Sequence, residues 1–152
     1  MMTWENVAAS LVSENKVLVY PASAETAETC ADKEDHVSMG SFSARKANLI
    51  AENVAQIIAV ELLGATQALQ FRIQNEPGFV IPHPGLRKVF NYAKSVSPIL
   101  AHDRYTVPEY QELLRFIQSG ELWDMMLEEM PSRYFNITVP NEYTQPINTS
   151  PF

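Results

Sequence analysis

Three observations on this 152-residue chain predict an all-α fold. Apolar residues recur three or four apart along one long run from Ser41 to Ile73. The other apolar runs keep the same helical period and are punctuated by Gly or Pro. Only Val17-Leu18-Val19-Tyr20 is β-branched-rich enough to read as extended, and a single short segment has no partner strand with which to build a sheet.

The elements follow in order. From Thr3 to about Asn15 the residues Trp4, Val7, Ala8, Leu11 and Val12 make an amphipathic helix that Thr3 can cap. Val17 to Tyr20 is the short extended piece, stopped by Pro21. Residues 22–32 are small, polar and acidic without periodicity, a loop that delivers Glu34 to its place. Ser41 or Ser43 then caps the long helix, whose inward set is Leu49, Ile50, Val54, Ile57, Ile58, Leu62, Ala65 and Leu69. It ends at Asn75-Glu76-Pro77-Gly78, and at a rise of 1.5 Å per residue it spans about 50 Å. Val60 and Leu63 lie off that stripe, so the helix is apolar over more than half its circumference. Such a helix needs neighbours on several sides, and other chains are the expected source.

Pro82 and Pro84 place a turn from Phe79 to Gly85, after which Leu86, Val89, Phe90 and Ala93 mark a short helix closing before Pro98. Thr106 with Glu109 forms a capping box, with Pro108 in the first turn, ahead of the apolar face Tyr110, Leu113, Leu114 and Ile117. Gly120 ends that helix; Glu121 to Met130 makes another, with Leu122, Trp123, Met125 and Met126 inward, stopped by Pro131. The domain division expected is thus a helical domain over residues 1–130 and an extended or disordered tail over 131–152. The tail's Tyr134, Phe135 and Tyr143 either dock on a neighbouring subunit or face solvent.

Composition narrows the function. Eleven Lys and Arg against eighteen Asp and Glu give a net charge of −7, which repels phosphate backbones, so nucleic acid is not an expected partner. Cys30 is the only cysteine, which excludes an intrachain disulfide and fits a reducing compartment, with the thiol as a small packing residue. Met1-Met2-Thr3-Trp4-Glu5 carries no basic leader pattern, so a cytoplasmic location is expected. The most hydrophobic stretch, Leu49 to Leu69, contains Glu52, Asn53, Gln56 and Glu61, which reads as a protein-core helix rather than a membrane span. Consecutive Glu34, Asp35 and His36 cannot converge on one ion without a special turn, and His83 and His102 lack ligand spacing, so no metal is expected. Ser38 near His36 has no nucleophile motif around it, and there is no Gly-rich phosphate loop.

The chemistry concentrates in Glu34-Asp35-His36-Val37-Ser38-Met39-Gly40 and the Ala44-Arg45-Lys46 that follows. Glu34 is either a substrate-facing carboxylate, a solvated loop acid or a partner of the next helix dipole. His36 reads as a hydrogen-bonded supporting group near a helix start, and Asp35 as a cap or an ion-pair partner of Arg45 or Lys46. Ser13-Glu14-Asn15-Lys16 reads as fixing a helix end, or as supporting the site from behind.

With Leu11-Val12-Ser13-Glu14-Asn15-Lys16-Val17-Leu18, Pro21-Ala22-Ser23, Ile58-Ala59-Val60-Glu61-Leu62-Leu63, Asp103-Arg104 and Ser119-Gly120-Glu121-Leu122 in order, the chain resembles the C-terminal part of the histidine, phenylalanine and tyrosine ammonia-lyase family, its histidine enzymes in particular. The resemblance covers roughly Val7 to Glu121. It implies an all-helical tetramer whose long central helices bundle between subunits, with each active site shared by more than one subunit. It further implies a lyase of histidine catabolism that converts L-histidine to urocanate and ammonia. Glu34 matches a glutamate that handles the substrate imidazole, where the phenylalanine and tyrosine enzymes usually carry glutamine. The expected site has Glu34 as the catalytic residue, Glu34 and Lys33 as substrate-binding, and His36, Glu14 and Asn15 in support. Lys33 departs from the family's usual amide, and an ammonium there competes with the substrate for the carboxylate.

The family's MIO electrophile forms from an internal Ala-Ser-Gly, and no Ala-Ser-Gly occurs in this sequence. The expected role is therefore a C-terminal segment or split subunit of such an enzyme, incomplete alone, whose partners are an amino acid substrate and either further copies of itself or a companion chain carrying the rest of the lyase. A non-catalytic helical oligomerisation subunit, a remnant of the enzyme, is the alternative from another class. A fragment of an amino acid aminomutase is a third.

Overall fold

The computed structural model describes residues 2–24 and 27–130; the expected tail over 131–152 lies outside the described residues. Five α-helices follow one another: α1 (Met2–Leu18), α2 (Gly40–Asn75), α3 (Pro84–Val96), α4 (Val107–Gln118) and α5 (Glu121–Leu127). Among the described residues there is no β-strand, only one isolated antiparallel bridge between Thr29 and Glu34.

Helix α1 runs on through Val17 and Leu18, where an extended piece was expected. The Val19 N–H still donates to the Asn15 carbonyl at 3.0 Å. A four-residue run with two valines and no strand beside it gains less from extension than from continuing the helical hydrogen bonds. The turn begins at Val19 and Tyr20 instead.

Helix α2 has 36 residues, about 54 Å at the standard rise. Its start is not capped by Ser41 or Ser43. Met39 takes the cap position in the left-handed region (φ 51°), and its carbonyl accepts from the N–H groups of Phe42 and Ser43. Both serines therefore lie inside the first turn. At the other end the Glu76 N–H returns to the Arg72 carbonyl, the two side chains pair at 3.0 Å, and the Arg72 guanidinium lies over the Phe79 ring.

Ala59, Val60 and Leu63 of α2 pack with Ala93 of α3 and Tyr110 and Leu113 of α4 as the buried core, and Trp4 and Ala8 of α1 lie against it. Phe116 is fully buried as well, its ring in contact with Tyr92. This corrects the expected inward stripe: Val60 and Leu63 are the core, while Leu49, Val54 and Ile58 are 48%, 41% and 41% exposed. Both faces of α2 are apolar enough to be buried, and packing by α3 and α4 selects the one that also carries Asn53, Thr66, Gln67 and Gln70.

The three amides among them are satisfied by specific partners, as burial requires. The Gln67 amide donates to Ser97 Oγ at 2.9 Å and to the Pro98 carbonyl at 3.1 Å, and its oxygen accepts from the Leu100 N–H at 2.9 Å. The Gln70 amide donates to the Ser97 carbonyl at 2.9 Å. Thus the segment leaving α3 is bound to α2 mainly through amides.

The capping box expected at α4 is not formed, because both of its residues are taken by tertiary partners. Thr106 Oγ1 accepts from the Trp4 indole N–H at 2.9 Å, which ties α1 to α4. Glu109 accepts both from Arg104 and from Ser97 Oγ. In contrast, α3 is capped by His83, whose Nδ1 accepts from the N–H groups of Gly85 and Leu86, with Pro84 at the first helical position. Gly85 suits this turn: a Cβ there would stand 3.2 Å from the His83 ring and 3.3 Å from Met126 Sδ. Helix α5 closes by Leu127 rather than Met130, and its Trp123 is 53% exposed rather than inward. Lys88 of α3 pairs with Glu128 and Glu129 and fastens the end of α5.

Two predictions follow from this packing. Leu63→Ala is expected to lower unfolding free energy by about 3 kcal/mol, the usual cost of emptying a fully buried leucine site. Val80→Ala, at an exposed position, should change it by no more than about 0.5 kcal/mol, both read by urea denaturation.

The second concerns acid. Hydrogen bonds from Arg115 and Tyr92 hold the Glu112 carboxyl down to about 2. Burial pushes Glu109 up, but hydrogen bonds from Arg104 and Ser97 outweigh it and leave the group below its ordinary value. A carboxyl lowered in the folded state contributes stability that is complete above its unfolded value and lost as pH falls through the folded one. The urea midpoint should therefore hold above the ordinary value of 4.5 and decline as the pH is lowered toward about 2. Glu112→Gln should flatten that decline.

Candidate functional site

The segment carrying Glu34 is a short turn closed by two backbone hydrogen bonds. The Thr29 N–H donates to the Glu34 carbonyl at 2.9 Å, and the Glu34 N–H donates to the Thr29 carbonyl at 3.3 Å. Between them Cys30, Ala31 and Asp32 all sit in the left-handed region, with φ of 54°, 54° and 62°. Three such non-glycine residues in a row cost roughly 1 kcal/mol each, and the bridge keeps the turn closed against that cost. Cys30 is exposed at the turn rather than packed as expected.

Glu34 itself is exposed, as are Lys33, Asp35 and His36. Its Oε2 accepts from Thr29 Oγ1 at 3.4 Å, so the bridge residue orients the carboxylate through both backbone and side chain. Among the described residues no ion pair joins Lys33 to Glu34, and no hydrogen bond joins Glu34 to His36, Glu14 or Asn15. The chain then runs from Asp35 to the left-handed Met39 and enters α2 at Gly40.

Glu14 and Asn15 come together around a residue that sequence reading passed over. The Asn53 amide of α2 donates to Glu14 Oε2 and to Asn15 Oδ1, both at 3.0 Å. Their side chains thus join α1 to α2 rather than closing the helix end. Ser13 only returns to the Ala9 carbonyl one turn earlier. Seven residues before Asn53, Lys46 donates its Nζ to the Tyr20 carbonyl and lies 5.5 Å from the Phe42 ring centre. Arg45 lies at the same distance over that ring. A cavity of about 330 Å³ lies beside this contact, lined by Tyr20, Pro21, Ala22, Ala24, Phe42 and Lys46.

Asn53 could have been found from the recurrence of amides on one side of the helix. Asn53, Gln56, Gln67 and Gln70 are spaced to share a face. That pattern marks a helix docked through hydrogen bonds as well as through apolar contact.

Asp103-Arg104 lies elsewhere, with Thr3, Trp4, Leu100 and Tyr105 around a cavity of about 420 Å³. The Arg104 guanidinium is committed to structure. It forms a two-pronged pair with Glu109 at 2.7 and 3.1 Å and donates to the carbonyls of Pro98 and Ile99. Among the described residues no cluster of three or more His, Cys, Asp or Glu is placed to hold a metal ion.

What this arrangement offers chemically is an accessible carboxylate on a constrained turn. It can accept a hydrogen bond from an N–H donor or stand opposite a cation.

Comparison with known proteins agrees in sequence and in fold. The histidine ammonia-lyase of Caenorhabditis elegans is 42% identical over 129 residues, which is 85% of this chain and 18% of that protein. The histidine ammonia-lyase of Natranaerobius thermophilus is 41% identical over 121 residues, 80% of this chain and 23% of that protein. The crystal structure of histidine ammonia-lyase from Trypanosoma cruzi superposes with a TM-score of 0.74 at 40% identity, covering 87% of this chain and 25% of that one. The chain thus spans a quarter or less of the length of these relatives. The model of the aromatic amino acid lyases matches residues 1–95, from the start of α1 through most of α3 and including the whole Glu34 turn. With the helical fold, the Glu34 segment and this match in agreement, the chain belongs to the aromatic amino acid lyase family.

Proposed function

We propose that this chain is the C-terminal segment of a histidine ammonia-lyase-like enzyme and contributes the Glu34 carboxylate to a histidine site. The observation that carries the reading is the exposed, bridge-held Glu34 within the region matched by the family. The histidine ammonia-lyases among its relatives supply the substrate class.

A carboxylate on this turn accepts a hydrogen bond from an imidazole N–H and stabilises an imidazolium, which a neutral amide does less well. Thr29 steadies one oxygen while the group stays open to a ligand. Lys33, the neighbouring residue in sequence, brings a positive charge to the same exposed turn, and that charge opposes a cationic imidazolium there. Glu14 and Asn15, through Asn53, fix the end of α1 on α2, upstream of the turn, and His36 lies on the path into α2. The electrophile of this enzyme class requires Ala-Ser-Gly, which this sequence does not contain. These residues do not form that group, and the chain's part is to bind and orient the imidazole.

The test is to follow histidine-dependent urocanate absorbance with the chain alone and with a companion protein containing Ala-Ser-Gly. Activity is expected only in the mixture. There, Glu34→Gln should reduce turnover by about tenfold or more, while Glu76→Gln, which removes only an exposed ion pair, should leave it nearly unchanged. Equal effects of the two substitutions would remove Glu34 from the site.

A second reading is a helical assembly subunit without chemistry, favoured by the exposed Leu49, Val54, Ile58, Phe71 and Ile73 along α2. Inter-chain helix packing through these exposed residues belongs to both readings. Light scattering is expected to give a mass above the 17.1 kDa of one chain, and Ile58→Glu should lower it. Self-association with no urocanate formed in either sample favours the second reading.

A further inference from the structure

We infer that Asn53 is a positioning residue: through Glu14 and Asn15 it sets where the chain that leads to the Glu34 turn leaves α1. The inference takes its functional meaning from the proposal that Glu34 faces substrate, but its geometry stands apart from that proposal.

Asn53 is 8% exposed, so its amide must be satisfied within the protein. Both acceptors it reaches lie on consecutive residues of another helix, at 3.0 Å each. Glu14 and Asn15 belong to the last turns of α1, which ends at Leu18 and leads directly into the loop. The second grip lies two turns back along α2, where Lys46 holds the Tyr20 carbonyl. Residues 46 and 53 are seven apart and share a face of α2, so residues 14–20 are gripped at both ends by one rigid helix. Among the described residues past Tyr20, the Ala24 N–H donates to the Pro21 carbonyl and the Thr29–Glu34 bridge closes the turn. The place of Glu34 relative to α2 is thus fixed at the exit from α1 and at the Met39 entry. Removing the Asn53 grip leaves Lys46 as the one side-chain hydrogen bond from α2 to residues 14–20 among the described residues.

The sequence provides a reporter, because Cys30 is its only cysteine and lies exposed on the Glu34 turn. A nitroxide on Cys30 and a second on Glu52→Cys give the distance from the turn to α2 by pulsed electron resonance, with the full chain diluted in unlabelled protein. The parent should give one narrow distribution. Asn53→Asp replaces a donor with a carboxylate facing Glu14, and should broaden the distribution by about twofold or more at unchanged helix content. Adding Glu14→Gln restores a donor on the other side of the pair and should return the narrow distribution, a rescue that loss of packing alone would not show. If Asn53→Asp loses helix content, Glu14→Ala at the exposed partner decides, with broadening expected. An unchanged distribution in the variants that fold, or a swap that fails to restore it, overturns the inference. The measurement needs no histidine chemistry, so its failure is distinct from failure of the urocanate test.

Discussion

Helix α2 is the rod on which the rest of the molecule is assembled, and the interaction that governs the assembly is the satisfaction of its buried amides. Ala59, Val60 and Leu63 supply apolar contact to α3 and α4, yet such contact tolerates sliding. Asn53, Gln67 and Gln70 do not, because each buried amide must meet its own donors and acceptors. Gln67 and Gln70 bind the segment from Ser97 to Leu100 and so fix the exit from α3. Asn53 fixes the end of α1. One helix thereby sets the position of the end of α1 and of the exit from α3, and the same seam that closes the core also sets where the chain toward the Glu34 turn begins.

From this seam a second polar layer extends outward. Ser97, held by Gln67, donates to Glu109, and Glu109 takes the two-pronged pair from Arg104. Arg104 also holds the carbonyls of Pro98 and Ile99, so the first part of the loop between α3 and α4 is bound from both sides. Trp4 completes the circuit by reaching Thr106 and stacking on Tyr110 with ring centres 4.5 Å apart. The first and fourth helices are thus linked at α4's start, although they lie far apart in sequence.

Helix type was legible in the sequence because apolar period and Gly or Pro stops survive without knowledge of neighbours. The long helix came within two residues of its observed ends, at Gly40 and Asn75. Which side of it faces inward was not legible, since Leu49, Val54 and Ile58 compete on equal terms with Val60 and Leu63 until α3 and α4 are in place. Local capping rules failed where distant groups offered better bonds, as Trp4 did for Thr106 and Arg104 for Glu109. The Glu34 segment stood out through its resemblance to a family. Its left-handed backbone did not, because Cys, Ala and Asp carry no glycine signal, and the support from Asn53 is a pairing 38 and 39 residues apart.

The handedness of the turn at Cys30, Ala31 and Asp32 governs what evolution can try there. Glycine enters that backbone without steric cost, asparagine and aspartate are tolerated better than most side chains, and valine, isoleucine and threonine are strongly disfavoured. Drift in this stretch is therefore channelled toward small polar residues by chain geometry, even though the side chains are bathed in solvent. Exposure there does not mean freedom to vary.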